Sequence, residues 1–189
     1  MTTKLHRVFS AALMAAALCA CVATPPPPDP DHVPVAPGIT LRLPAPADLG
    51  REVEAVQMVT ARRNGETHVF EARLSVDKER LLMVGTDSLG RRAMTVTWRA
   101  GKVDAERAAW LPDGLRPENI LADIVLLYWP EATLQRAVSG AKVAQNGDTR
   151  TIGDAVAVSW RGDPWNGQSR LVNSPWGYEL EVRSVVVGP

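Results

Sequence analysis

The chain has 189 residues, enough for one domain with its own core. Its 21 basic and 21 acidic residues cancel, which removes the basic stripe that nucleic-acid binding requires. Cys19 and Cys21 are the two cysteines and both lie near the N-terminus, so no disulfide can staple the rest. Its stability must come from burial and hydrogen bonding.

Lys4 and Arg7 give a basic start, and Val8 to Ala20 is apolar or small throughout. At about 13 residues this run is too short to cross a bilayer as a helix and suits a secretory signal. It ends in Leu18-Cys19-Ala20-Cys21, which resembles the bacterial lipobox: Leu at −3, a small residue at −1, then Cys. The resemblance implies diacylglyceryl transfer to the Cys21 thiol, cleavage after Ala20 and acylation of the new N-terminus. Cys19 is the competing candidate, with a large Leu18 before it. Residue 22 is Val, not Asp, which by the same resemblance implies the outer membrane, facing the periplasm. Loss of residues 1–20 leaves 19 basic against 21 acidic residues.

Nine of the 15 prolines fall between Pro25 and Pro46. Such density favours polyproline II, so 21–46 predicts a tether of about 25 residues that reaches roughly 75 Å from the membrane. His32 sits here with Asp29 and Asp31, and one His with two carboxylates in a linker is expected to be solvated, not metal-bound.

From Arg51 the pattern turns to strands. Glu52–Thr60 alternates, Asn64-Gly65 signals a hairpin, and Thr67–Asp77 returns with Phe70, Ala72, Leu74 and Val76 on one face. Arg80–Thr86 and 92–100 follow, the latter with Met94, Val96 and Trp98 on one face. Residues Val103–Trp110 predict one more short strand. Pro117–Val138 is the one long helical pattern: Ile120, Leu121, Ile124, Val125, Leu127 and Tyr128 form a broad apolar face. Pro117 suits a first helical position, and Pro130 forces a break near Trp129. Two helices are therefore expected, near 117–128 and 131–138, with Gly140 as a C-terminal cap. Tyr128 needs a partner for its hydroxyl. Asp123, among Ile and Leu, reads either as exposed at the helix edge or as paired with a buried Arg. The strands then resume at 142–145, 149–152, 155–160, 168–172 and 178–187. The total is nine to eleven antiparallel strands, enough to curl into a barrel or half-barrel.

The stretch LPDGLRPENILADIVLLYWPEATLQRAV at 111–138, with GYELEV at 177–182, is similar to a family of uncharacterised bacterial lipoproteins found in aryl polyene gene clusters. The layout of strands, two helices and strands on a tethered chain resembles the LolA/LolB type. The resemblance implies an α+β, mainly β, open half-barrel at 47–189 whose helices cover the concave face. It implies a lipoprotein or acyl-lipid cargo, received from a periplasmic carrier protein and passed to outer-membrane lipid. It further implies an exposed apolar residue on an early hairpin, a position that Leu89 fills beside Arg91 and Arg92. The alternative is that Leu89 tucks into the core edge.

On this reading the cavity is lined by Met58, Phe70, Leu74, Leu82, Met94, Val96, Trp98, Ile124, Leu127, Tyr128 and Trp129. Acyl chains would bind there by burial alone, at about 0.8 kcal/mol per CH₂. The alternative is a non-catalytic scaffold in which the same side chains fill the interior. No catalysis is expected. His68 is the single histidine after residue 46, and no G-x-S-x-G, P-loop or dinucleotide fingerprint occurs. No metal or cofactor is expected beyond the acyl groups on Cys21. Trp165 and Trp176 read either as an exposed docking patch or as anchors of their turns.

Overall fold

The fold is that of a computed structural model describing residues 31–99, 101–111 and 115–188. The signal segment, Asp29 and the lipidation candidate Cys21 lie outside the described residues. Ten strands form one antiparallel sheet. The first half is β3 (Val53–Arg63), β4 (Glu66–Val76), β5 (Arg80–Thr86), β6 (Arg92–Arg99) and β7 (Lys102–Arg107). The second is β9 (Val143–Asn146), β10 (Thr149–Ile152), β11 (Val156–Asp163), β12 (Asn166–Asn173) and β13 (Tyr178–Gly188). The order is β7-β6-β5-β4-β3-β13-β12-β11-β10-β9, so each half is a meander and the two meet where β3 pairs with β13. Asn64 and Gly65 both take positive φ at the β3–β4 turn, as a tight Asn-Gly hairpin requires.

This order has a consequence for the helices. α1 (Pro117–Tyr128) and α2 (Glu131–Ala137) connect β7 to β9, the two outer strands of the sheet. They must cross one face of it. Along each strand alternate residues are buried against them: Val53, Ala55 and Val59 of β3, Ala72, Leu74 and Val76 of β4, Val156, Val158 and Trp160 of β11. A flat sheet would hold β6 and β11 about 29 Å apart. Yet the indole N–H of Trp98 on β6 donates to the Pro44 carbonyl (2.9 Å), that of Trp129 to the adjacent Ala45 carbonyl (3.4 Å), and that of Trp160 on β11 to the Leu127 carbonyl (3.2 Å). The sheet therefore bends around the helices. Its end strands β7 and β9 do not pair with each other, so the arrangement is compatible with a half-barrel and is not a closed barrel.

The strands expected from residue 51 onward match ten of those observed. Three shorter ones differ from expectation. β1 (His32–Ala36), β2 (Ile39–Arg42) and β8 (Val138–Ser139) form a second, three-stranded sheet. The tether reading is thus corrected from His32 on: Val33, Val35, Ile39, Leu41 and Leu43 are buried in the common core. Pro34 faces outward on β1, and Pro37-Gly38 makes the turn, with Gly38 at φ 73°. Prolines occupy a strand edge and a turn here, which suits them as well as a linker does. His32 is accordingly on a strand, hydrogen-bonded to Asp31 at 3.2 Å.

Gly140 is also corrected. α2 ends at Ala137 with Val138 extended, so Gly140 does not cap it. A Cβ at Gly140 would collide with the Gly38 carbonyl oxygen. The residue is small because the chain leaving β8, which pairs beside β2, runs directly against the β1–β2 turn, and it takes a positive φ of 88° there.

Candidate functional site

The site is the interface between α1 and the inner face of the sheet, and Pro130 shapes it. Proline has no N–H, so the Leu126 carbonyl loses its helical donor. Arg150 on β10 replaces it. Its Nη1 donates to the Leu126 oxygen at 2.6 Å, while Nε and Nη2 hold the Gln145 side-chain oxygen at 3.1 and 2.7 Å. The guanidinium also lies over the Trp160 ring at 4.9 Å. A cation at a helix C-terminus meets the negative end of the macrodipole. Burial pulls the Arg150 pKa down to about 10, partly offset by Glu131, so it remains charged at neutral pH. Trp160 satisfies the next carbonyl, that of Leu127.

The middle of α1 carries a second polar contact. Tyr178, at the start of β13, donates its hydroxyl to Asp123 Oδ1 at 2.7 Å. Asn173 Nδ2 donates both to that hydroxyl (3.3 Å) and to the Val35 carbonyl (2.8 Å). One chain of bonds therefore joins α1, β13, β12 and β1. Asp123 is half-buried as a residue, but its carboxyl is enclosed. Desolvation pushes its pKa up to about 7 against the opposing pull of the Tyr178 bond. Burial, then the adjacent carboxyl, raises the Tyr178 pKa as well. Asp123 is thus neither free at the helix edge nor paired with a buried Arg. Its partner is a phenol.

Tyr128 finds its partner on β3. Gln57 Nε2 donates to the Tyr128 hydroxyl at 2.8 Å and lies 3.2 Å from Ser184 Oγ. Desolvation pushes the Tyr128 pKa up to about 12, with bonds to Ser169 and Gln57 opposing. Trp165 stacks on the same ring at a centroid distance of 4.1 Å. It is buried, so the docking-patch reading fails at this residue, while Trp176 is half-buried.

Of the eleven candidate lining residues, Phe70, Leu74, Met94, Val96, Trp98, Ile124, Leu127, Tyr128 and Trp129 lie in one core, Phe70 being only partly buried. Met58 and Leu82 do not. Met58 is 46% exposed on the outer face of β3, and Leu82 points outward on β5 beside Val56 and Val84. The inward residues of those strands are Gln57 and Val59, and Leu81 and Met83. Both strands carry apolar residues on both faces, so alternation alone does not choose the buried one. Sequence reasoning also missed Gln57, Arg150, Ser169, Asn173 and Ser184, all buried. The signal was their spacing of two from apolar core residues, as Arg150 stands to Ile152.

Leu89 stands at the tip of the β5–β6 hairpin, 78% exposed. The Asp87 carboxylate fastens that turn, accepting from the backbone N–H of Leu89 (3.0 Å) and of Arg91 (2.9 Å) and from the Arg91 guanidinium (2.7 Å). Arg91 lies over the ring of Trp110 at 5.0 Å, and Trp110 is itself half exposed. An apolar tip, an indole and two arginines thus share one rim.

Residues 54–186, more than half of the chain, match the model of DUF3261, described as a protein of unknown function. No curated protein matches the chain.

Proposed function

With the chain's membership of the DUF3261 family as premise, we propose that it is a non-catalytic envelope lipoprotein, anchored through Cys21 to the outer membrane, that takes up acyl chains beneath α1 and α2. The cargo class is a lipoprotein or an acyl lipid such as an aryl polyene lipid, handled in the LolB manner. The observation that carries this reading is the way α1 is held. Its apolar underside lies on an apolar sheet face, and its polar bonds come mostly from one half of that sheet. A helix so attached can lift from the other half and leave a trough of Leu74, Met94, Val96 and Trp98. Each buried methylene of a chain there contributes about 0.8 kcal/mol. Leu89 and Trp110, flanked by Arg91 and Arg92, would seat the rim on the membrane. One leucine contributes only about 1.5–3 kcal/mol on full burial, so the acyl anchor supplies the hold and the rim supplies orientation.

A second reading is favoured by the packing. Trp98, Leu121, Leu126 and Trp129 are at most 1% exposed, as in a filled core. On that reading the protein is a structural lipoprotein of the envelope.

Mass spectrometry of the purified protein, with titration of a fluorescent fatty acid, separates the two. Co-purified lipid and saturable binding are expected from the first. Absence of both leaves the scaffold. Radiolabelled palmitate incorporation is expected in the wild type and not in Cys21→Ala.

A further inference from the structure

The outer face of the second half-sheet carries a groove of about 260 Å³ on β11, β12 and β13, on the side away from the helices. Register fixes its lining. Arg161, Gln168 and Arg183 stand directly opposite one another across the three strands, and Ser159, Arg170 and Glu181 form the next rung on that face. These side chains point outward, since Trp160, Ser169 and Val182 between them are buried.

The carboxylates in reach are already committed. Glu179 accepts two bonds from Arg170, at 2.9 and 2.7 Å, and Glu181 is held by Arg62 at 3.2 Å. Asp163, further along β11, accepts the backbone N–H groups of Trp165 and Asn166. Among the described residues Arg161 and Arg183 have neither hydrogen bond nor ion pair. Two uncommitted guanidiniums therefore flank one amide donor, about 10 Å apart at two strand spacings. Like charges held together on a rigid sheet repel, and an anion between them removes that cost.

We propose that this groove is a binding site for a phosphate-type oxyanion, a phosphomonoester or diphosphate group. Arg161 and Arg183 each offer it a planar fork of donors, and the Gln168 amide donates between them. A guanidinium matches two phosphate oxygens at once, which an ammonium cannot do. The group could be carried by a lipid headgroup or by a soluble ester, and the chemistry is the same. The site stands on different residues from the acyl trough and does not depend on it.

The test is isothermal titration of the purified full-length protein with inorganic pyrophosphate at low salt. Saturable binding is expected, with a loss of about tenfold or more in the R161Q/R183Q double variant, about 1.4 kcal/mol. The R51Q/K78Q double variant, which removes the same charge elsewhere, is expected to bind as the wild type does. Thermal melts of both variants check that the fold is intact, and these exposed side chains, which make no hydrogen bond or ion pair among the described residues, should leave them unchanged. Competition then identifies the carrier. Displacement by phosphatidic acid in phosphatidylcholine vesicles indicates a headgroup, and displacement by glycerol 3-phosphate alone a soluble ester. No binding of pyrophosphate, equal loss in both double variants, or displacement by neither competitor overturns the site.

Discussion

The two halves of the sheet treat the same helix differently. The inner face of β3 to β7 is apolar, with Val53, Leu74, Leu81, Met83, Met94, Val96 and Trp98 buried and Gln57 its buried polar residue. The inner face of β9 to β13 mixes Ile152, Val158 and Leu171 with Arg150, Ser169, Asn173 and Ser184. Among the described residues β4, β5 and β6 give α1 no hydrogen bond and β3 gives it one, from Gln57 to the Tyr128 hydroxyl at its C-terminal end, while β10, β11 and β13 give it one each, to Leu126, Leu127 and Asp123. Burial is non-directional and weakens gradually as surfaces part, whereas buried polar bonds fix an orientation and are costly to break singly. The second half therefore does most to set where α1 sits, with Gln57 of β3 the one polar tie from the first half, and the first half supplies most of the apolar surface it covers.

The largest effect follows from removing apolar volume on the first half. Trp98→Ala should cost about 3–5 kcal/mol, since its ring is almost wholly buried and its indole also holds the Pro44 carbonyl. Chemical denaturation should show a lower midpoint in one cooperative transition, because this loss is spread through the shared core. On the second half, Arg150→Met keeps the apolar stem but leaves the Leu126 carbonyl and the Gln145 oxygen without their donor. That should cost about 2–4 kcal/mol. Its signature should be local. Hydrogen exchange at residues 126–129 should quicken beyond what the global loss explains. If both variants gave only a uniform loss, the two halves would be energetically alike and the contrast would be gone.

The difference between the halves was only partly visible in the sequence. The strands of the sheet were legible because they alternate and are bounded by Asn-Gly, Asp-rich and Gly turns. The helix break was legible because Pro130 cannot continue a helix. The identity of the polar anchors was not, since nothing in TRTI says what Arg150 will touch until Pro130 has freed a carbonyl above it. The faces of β3 and β5 misled because Met58 and Leu82 are as apolar as the residues actually buried. The N-terminal strands were hidden by proline content, although Val33, Val35, Ile39 and Leu41 alternate around Pro37-Gly38 as a hairpin should. The candidate site was thus legible as an apolar helix over an apolar face, and illegible in the polar bonds that orient it.

The Asp123–Tyr178 contact gives the contrast a pH dependence. The Asp123 pKa is raised in the fold to about 7 from an ordinary value of 3.8, because the enclosed carboxyl is desolvated. A raised pKa means that the fold prefers the protonated form. The contribution is therefore fully present below about pH 4 and is lost as pH rises through 7. The residue is partly exposed, so on the order of 1–2 kcal/mol is a realistic size after screening. Stability from thermal melts at pH 5 and pH 8 should fall over that window in the wild type and much less in Asp123→Asn. The amide still accepts the Tyr178 hydroxyl but cannot ionise. An equal pH slope in both proteins would place the titration elsewhere.

The smallest effect on stability is expected at the hairpin tip, and there the contrast becomes one of function. Leu89 and Trp110 follow β5 and β7, so the exposed apolar rim belongs to the half where α1 is held chiefly by burial. If acyl chains leave the trough toward the membrane, they leave on the side where the helix lifts most easily. Leu89→Glu touches no buried group, and the turn is fixed by Asp87 rather than by the leucine, so the melting temperature should move by less than about 0.5 kcal/mol equivalent. A carboxylate beside Arg91 and Arg92 should nevertheless oppose seating on an anionic surface. Sedimentation with vesicles containing phosphatidylglycerol, using protein with Cys21→Ala so that no acyl anchor contributes, should show a clear loss for Leu89→Glu. Acyl-probe affinity in solution should stay the same, because the trough residues are untouched. A fall in probe affinity with unchanged vesicle binding would reverse the assignment. The tip would then belong to the acyl site and the rim would have no part in membrane contact.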